Sequence, residues 1–199
     1  MTVPSTRITG IACAIFRREI EALQSAGLLD FPFRYLSSML HITPAGLEDQ
    51  LQGLISAERR KGRPVLLVYG DCCAHMLDFE AGPGVARTSG INCCEIVLGR
   101  EIYRRLRAEV AFFLMPEWAL RWREIFEQEL GLHGENARDF MTDMHAKMIY
   151  LDTGLMPVPQ AVLAEMSDFA GLPCGVLPVT LEPLLANMRD ACERIKYHA

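Results

Sequence analysis

The run Pro64–Tyr69, PVLLVY, constrains the fold of this chain more than any other stretch. It is almost wholly apolar, and Gly62 and Gly70 bracket it closely. A strand with one solvated face alternates apolar and polar residues. An unbroken short apolar run describes instead a strand covered on both faces, the usual state of a central strand in a parallel sheet. Parallel neighbours need crossover connections, and helices normally supply them. The run therefore predicts an α/β chain.

The flanking sequence has the matching alternation. Ile8–Cys13, Phe33–Leu36, Val85–Arg87, Glu109–Met115 and Met148–Asp152 read as further strands, and Cys174–Val179 as an edge strand. Helical spacing appears at Ile15, Phe16, Ile20 and Leu23, with Gly27 as terminator. Thr43-Pro44 opens a second helix carrying Leu47, Leu51, Leu54 and Ile55 toward Gly62. Helices are also predicted from Asn92 to Gly99, over Arg100–Arg107, from Pro116 through Trp118 and Trp122 to Leu130, over Glu135–His145, over Gln160–Phe169 and over Leu181–Ile195. The expectation is a Rossmann-like layout in a single domain, residues 1–199, with a mostly parallel sheet flanked by helices.

Ligands of such sheets bind outside the carboxyl ends of the strands. No phosphate-cradling signature sits there: Gly10 stands alone before the first helix, and the Walker pattern is missing. Dinucleotide and nucleotide binding are set aside on that ground. A net charge of -5 and a pI near 5.6 argue against a nucleic-acid footprint, which needs clustered cations. No apolar run approaches a bilayer-spanning length, and the opening MTVPSTR lacks a signal pattern. The expected location is cytoplasmic. There thiols stay reduced, so seven cysteines point to metal binding, redox work or burial rather than to disulfides.

The cysteines fall at strand exits. Cys13 ends the first strand, Cys72-Cys73 follow PVLLVYGD, and Cys93-Cys94 open the helix after Asn92. Core-packing cysteines would scatter through element interiors, as Cys174 and Cys192 do. Neighbouring residues point different ways, so Cys72 and Cys93 are assigned to the cleft and Cys73 and Cys94 to the flanks. Soft thiolates select zinc, copper(I) or iron–sulfur clusters. Cys13, Cys72 and Cys93 leave a fourth position open, suiting zinc or a cluster with one exposed iron. Helix dipoles would keep these thiols partly ionised. The plain alternative is that they are small buried hydrophobes.

His145 is the candidate fourth ligand or general acid, against the alternative of a helix-end histidine on the dipole. His75 lies nearer the thiols in sequence but also reads as a solvent-facing loop residue. Asp71 and Glu95 either orient ligands or charge helix N-termini. Trp118, Trp122, Met141, Met144 and Met148 read as core.

The motifs ACxIxRREIEAL, LLVYGDCC, R-x5-CCEIVLG, FFL-x2-EW and H-x4-YLDTG together resemble a family of uncharacterised bacterial and archaeal proteins, a domain of unknown function, over almost the whole chain. The resemblance implies that the family's cysteines fall on Cys13, Cys72 and Cys93, and its final histidine and aspartate on His145 and Asp152. This chain departs from the pattern at Asn92, where many members have aspartate, at Ile91, where a histidine often precedes it, and at Cys73, often glycine. Members are often encoded near corrinoid-dependent methyltransferases and their reductive activators. That implies a one-carbon or metallocofactor context, with a corrinoid as a further cofactor and a corrinoid protein or methyltransferase as partner.

Three readings compete. The first is a protein binding zinc or an iron–sulfur cluster through Cys13, Cys72 and Cys93. The second is a thiol-dependent enzyme, for methyl transfer or redox work, with Cys72 as nucleophile and His75 or His145 as base. The third is a non-catalytic subunit docking through its Trp118 helix.

Overall fold

The computed structural model describes residues 8–197; the opening MTVPSTR lies outside them. The strands are β1 (Thr9–Cys13), β2 (Phe33–Leu36), β3 (Val65–Val68), β4 (Val85–Arg87), β5 (Ala111–Leu114), β6 (Lys147–Asp152) and β7 (Cys174–Pro178). The helices are α1 (Arg17–Ser25), α2 (Pro44–Arg60), α3 (Met76–Glu80), α4 (Cys93–Leu98), α5 (Arg100–Ala108), α6 (Pro116–Leu120), α7 (Gly134–Met144), α8 (Gln160–Ala170) and α9 (Glu182–Tyr197). Every strand expected from the sequence forms, and every pairing is parallel. The α/β expectation is met.

The strands are not in one sheet. They divide into a sheet of order β2-β1-β3-β4 and another of order β5-β6-β7. The chain divides likewise into two compact units. One holds the described residues up to Gly99 together with the segment from Leu181, and the other Arg100–Thr180. No helix among the described residues is long and apolar enough to cross a membrane.

In the first unit β3 is the buried centre. Val65, Leu66, Leu67 and Val68 are all fully buried, each stabilising the fold by roughly 1.5–3 kcal/mol. Ile11 of β1 and Leu47, Leu51 and Ile55 of α2 pack on one face of the sheet. Gly10 has a packing role. A Cβ there would stand 2.3 Å from the Phe33 ring, so the missing side chain is the space Phe33 fills on the neighbouring strand. The closing helix α9 packs on β3, β4 and α4.

Glu58, near the end of α2, is a buried carboxylate. It accepts from Thr9 Oγ1 at 3.2 Å and Lys61 Nζ at 2.7 Å, with Arg63 at 3.6 Å and Arg34 at 3.8 Å. The Lys61 hydrogen bond and these cations outweigh burial and hold its pKa below the usual carboxylate value. A depressed folded-state pKa stabilises above the unfolded value and loses that contribution as pH falls through the folded pKa. Glu58→Gln should therefore cost about 1–3 kcal/mol near neutral pH and lose most of that cost in acid. Urea midpoints of both proteins at about pH 7 and about pH 3.5 check this; parallel midpoints would contradict it.

The second unit is built around aromatic contacts. Phe169 of α8 meets Trp122 edge-on at 5.0 Å and Phe126 at 6.2 Å, and Phe112 of β5 meets Phe126 at 5.8 Å. Trp122 is core, as expected, and so are Met141 and Met148, whereas Met144 is exposed. Two boundaries differ from expectation. Strand β5 begins only at Ala111, because Val110 has φ 56° and cannot continue an extended strand. The helix from Pro116 stops at Leu120, because Arg121 (φ -117°, ψ 20°) leaves helical space; a π-helical stretch then spans Glu124–Glu129. Arg121 bridges that break, pairing with Glu117 at 3.0 Å and Glu124 at 2.7 Å.

Candidate functional site

Strand order decides where the thiols meet. From β1 the chain moves to β2 on one side, then crosses back to β3 on the other. The exits of β1 and β3 therefore part at a topological switch point, where doubly wound sheets open a crevice. Cys13 ends β1, and Cys72-Cys73 follow β3. Both segments pack on the core face carrying Tyr69 and Cys73, with Cys13 and Cys72 partly buried against it.

The second cysteine pair is brought in by a backbone contact. Asp71 N donates to Ile91 O at 2.9 Å. A Cβ on Gly70 would stand 2.4 Å from Asn92 Cα and 2.6 Å from Asn92 N, so the two loops touch main chain to main chain. Only glycine permits this approach. Asn92 caps α4 by accepting from Glu95 N at 2.9 Å, and Glu95 in turn accepts from Ile91 N at 3.0 Å. Glu95 is thus a capping residue. Asn187 of α9 holds the loop ahead of it by bonding both the N–H and the carbonyl of Ser89.

The loop contact places Cys93 where its charge would act on Cys72. Cys93 Sγ lies 3.9 Å from Cys94 Sγ. Cys73 points inward and is buried; Cys72, Cys93 and Cys94 are part-buried. All seven cysteines are thiols rather than disulfides. The expectation of partial ionisation is overturned. Burial, then the neighbouring Cys93, pushes Cys72 up to about 11. Cys73 is raised by burial, and Cys93 by its contact with Cys94 and by burial. The physical reason lies in helix position: α3 starts only at Met76, well past Cys72, and α4 is too short to offset the loss of water.

Two further residues stand around the thiols: Arg87, which was not singled out from the sequence, and Tyr69, which the sequence marks as a strand end before the close approach at Gly70. Arg87, at the end of β4, has its guanidinium 8% exposed. It donates to Tyr69 O at 3.2 Å, pairs with Asp71 at 3.0 Å and lies 3.6 Å from Glu80. It thereby grips the chain on both sides of Gly70, and its charge acts on Cys72 and Cys73. Asp71 is engaged by this cation. A charged residue closing an otherwise apolar strand, VAR, was the available signal. Tyr69 is the second. Its main-chain N–H bonds Thr88 Oγ1 at 3.2 Å, but its buried hydroxyl has no hydrogen-bond partner and lies in the field of Cys13, Cys72 and Cys73. An orphan buried hydroxyl costs about 1–3 kcal/mol.

His75 is an exposed residue with Nδ1 2.7 Å from Glu48 Oε1. His145 belongs to the second unit. It follows α7 and precedes β6, at the amino end of its strand, and stacks edge-on against Phe112 at 5.1 Å. Burial, then the nearby Arg107, lowers its pKa. Asp152, at the exit of β6, accepts from Gly154 N at 2.9 Å.

The polar groups around the switch point are thiols, with a buried cation and a buried phenol beside them. Among the described residues no three His, Cys, Asp or Glu side chains stand close enough to form a preassembled metal-binding group. Loading would require the loops to draw the sulfurs together and release their protons.

No curated protein and no solved structure matches the chain. A family described as "Protein of unknown function (DUF1638)" matches residues 35–188. That span takes in Cys72, Cys93 and His145, covers most of the length, and makes the chain a member of the DUF1638 family.

Proposed function

We propose that this protein binds a thiophilic metal centre, zinc or an iron–sulfur cluster, through the thiolates of Cys13, Cys72 and Cys93, with Cys73 and Cys94 beside them. One observation carries the reading: Cys13 and Cys72, from the exits of β1 and β3, pack against one core face at the topological switch point, and the Asp71 N to Ile91 O bond ties the loop before Cys93 to the loop that carries Cys72. Soft sulfur donors favour such centres over hard ions. When bound, a three-thiolate centre supplies a Lewis-acid position open to a further ligand. The chain's own part is to bring the loops together through Gly70, to offset thiolate charge with Arg87, and to exclude water by packing Cys73 and Tyr69 inward. A one-carbon context, with a corrinoid protein or methyltransferase as partner, is part of the same proposal.

Anaerobic purification followed by metal analysis and an absorption spectrum tests the reading. Stoichiometric zinc without visible absorption, or iron with broad sulfur-to-iron bands, is the expected outcome. Cys72→Ser and Cys93→Ser should each reduce retained metal at least tenfold. A metal-free protein that takes up neither zinc nor iron, or variants that retain metal like the parent, would end the proposal.

A further inference from the structure

Cys93 and Cys94 open α4 side by side, and their sulfurs lie 3.9 Å apart, within reach of an S–H to S hydrogen bond. Consecutive residues of a helix point about 100° apart around its axis. Chain order alone therefore sends one thiol to the cleft and the other to the flank. In the structure the two side chains turn toward each other instead. The scaffold beneath them is fixed: Asn92 caps the helix through Glu95 N, and Ile96, Val97 and Leu98 are buried. Both cysteines are only part-buried, so the pair is not sealed from solvent.

This spacing favours one kind of chemistry over another. A disulfide would bring the sulfurs to about 2.05 Å, and adjacent Cα atoms stand only about 3.8 Å apart, short of the roughly 4.4–6.8 Å that a disulfide spans. A single atom bonding both sulfurs asks for little movement. Two bonds of about 2.3 Å at a tetrahedral angle hold their sulfurs roughly 3.8 Å apart. That atom must need no third protein donor, because no three His, Cys, Asp or Glu side chains among the described residues form a metal-binding group. It must also accept protonated thiols, since the contact with Cys94, then burial, pushes the Cys93 thiol up. A trivalent arsenic oxide of the type R–As=O meets these conditions.

We propose that Cys93 and Cys94 form a dithiol site for trivalent organic arsenicals, held as a cyclic arsenic dithiolate. In the reaction both S–H bonds and the arsenic–oxygen double bond break and two S–As bonds form. The oxygen leaves as water, carrying the two thiol protons. Arsenic stays trivalent, so no oxidant or reductant takes part. Once the first sulfur is bonded the second reacts within the same molecule, which raises retention about 10²–10⁴-fold over that of a single thiol. The inference stands apart from the metal centre proposed above, which needs Cys13 and Cys72.

Phenylarsine oxide is the probe, used on the full chain. The parent should bind one equivalent, with an intact mass showing one phenylarsenic group gained and two hydrogens lost. A small dithiol should remove the group and a monothiol should not. Peptide mapping of the labelled parent, which needs no variant, should find Cys93 and Cys94 blocked and the other thiols free. Cys94→Ser should weaken retention about a hundredfold or more, whereas Cys72→Ser should hold the arsenical like the parent. Blocked thiols at any other pair, or a folded Cys94→Ser protein that retains the group as the parent does, would overturn the inference. A parent that takes up no arsenical would overturn it too, and would leave zinc or iron binding at Cys13 and Cys72 to its own test.

Discussion

Gly70→Ala is expected to destabilise the protein by about 3 kcal/mol and to part the two cysteine loops. The added Cβ would stand 2.4 Å from Asn92 Cα, 2.6 Å from Asn92 N and 2.7 Å from Ile91 C. These are backbone atoms, so no side-chain rotation can make room. Overpacking a fitted contact costs roughly 1–3 kcal/mol, and the upper end applies where the neighbour is main chain. The relief available is to part the loops, which breaks the Asp71 N to Ile91 O bond of 2.9 Å. Cys72 would then move away from Cys93. Urea denaturation measures the first effect, and faster hydrogen exchange of the Asp71 amide the second. An alanine variant with parental stability and parental protection at Asp71 would show that the loops are not bound to each other here.

Arg87→Met is expected to cost a similar amount, about 3 kcal/mol, for a different reason. The guanidinium is nearly buried, and one side chain serves Tyr69 O, Asp71 and Glu80. Removing one partner of a buried ion pair typically costs about 3–5 kcal/mol, since the groups left behind lose their compensation. Asp71 is half-exposed and can return to water, which places the value at the lower end. Arg87→Lys keeps the charge but lacks the planar fork that spans a carbonyl and two carboxylates, so it should recover less than half of the loss. Stability of the three proteins, with zinc retention beside it, distinguishes charge from geometry. If lysine restores both, the fork is unimportant.

The two variants act on one short segment from opposite sides. Gly70 sets how closely the cysteine loops approach, and Arg87 sets whether the first loop stays where the approach is made. Both effects should appear at the Asp71 amide before they appear globally, because local opening precedes unfolding where few apolar contacts hold the chain.

Much of the fold was legible because it depends on local pattern. An apolar run between glycines can only be a covered strand, and β3 is buried at every position. Asn92 before a helical run marks a cap, and α4 begins at the next residue. The short helix α3 escaped notice because Met76 and Phe79 give a single apolar repeat, too little to distinguish from a loop. The break at Arg121 was equally invisible, since Trp118, Trp122, Ile125 and Phe126 keep helical spacing through it.

The sequence by itself determined that these strands alternate with helices and pair in parallel, and that sulfur sits where strands end. Those are consequences of periodicity and of residue order, which are local. Only the tertiary structure decided which strands share a sheet, because pairing joins residues distant in the chain and hydropathy does not encode the partner. It put β5–β7 in a sheet of their own, and His145 precedes the middle strand of that sheet. It also decided the state of the thiols. A strand exit beside a helix suggests an ionised sulfur, but burial raises the cost of charge and pushes the Cys72 thiol up to about 11. Finally it supplied Arg87, whose role comes from neighbours across the sheet that no reading along the chain brings together.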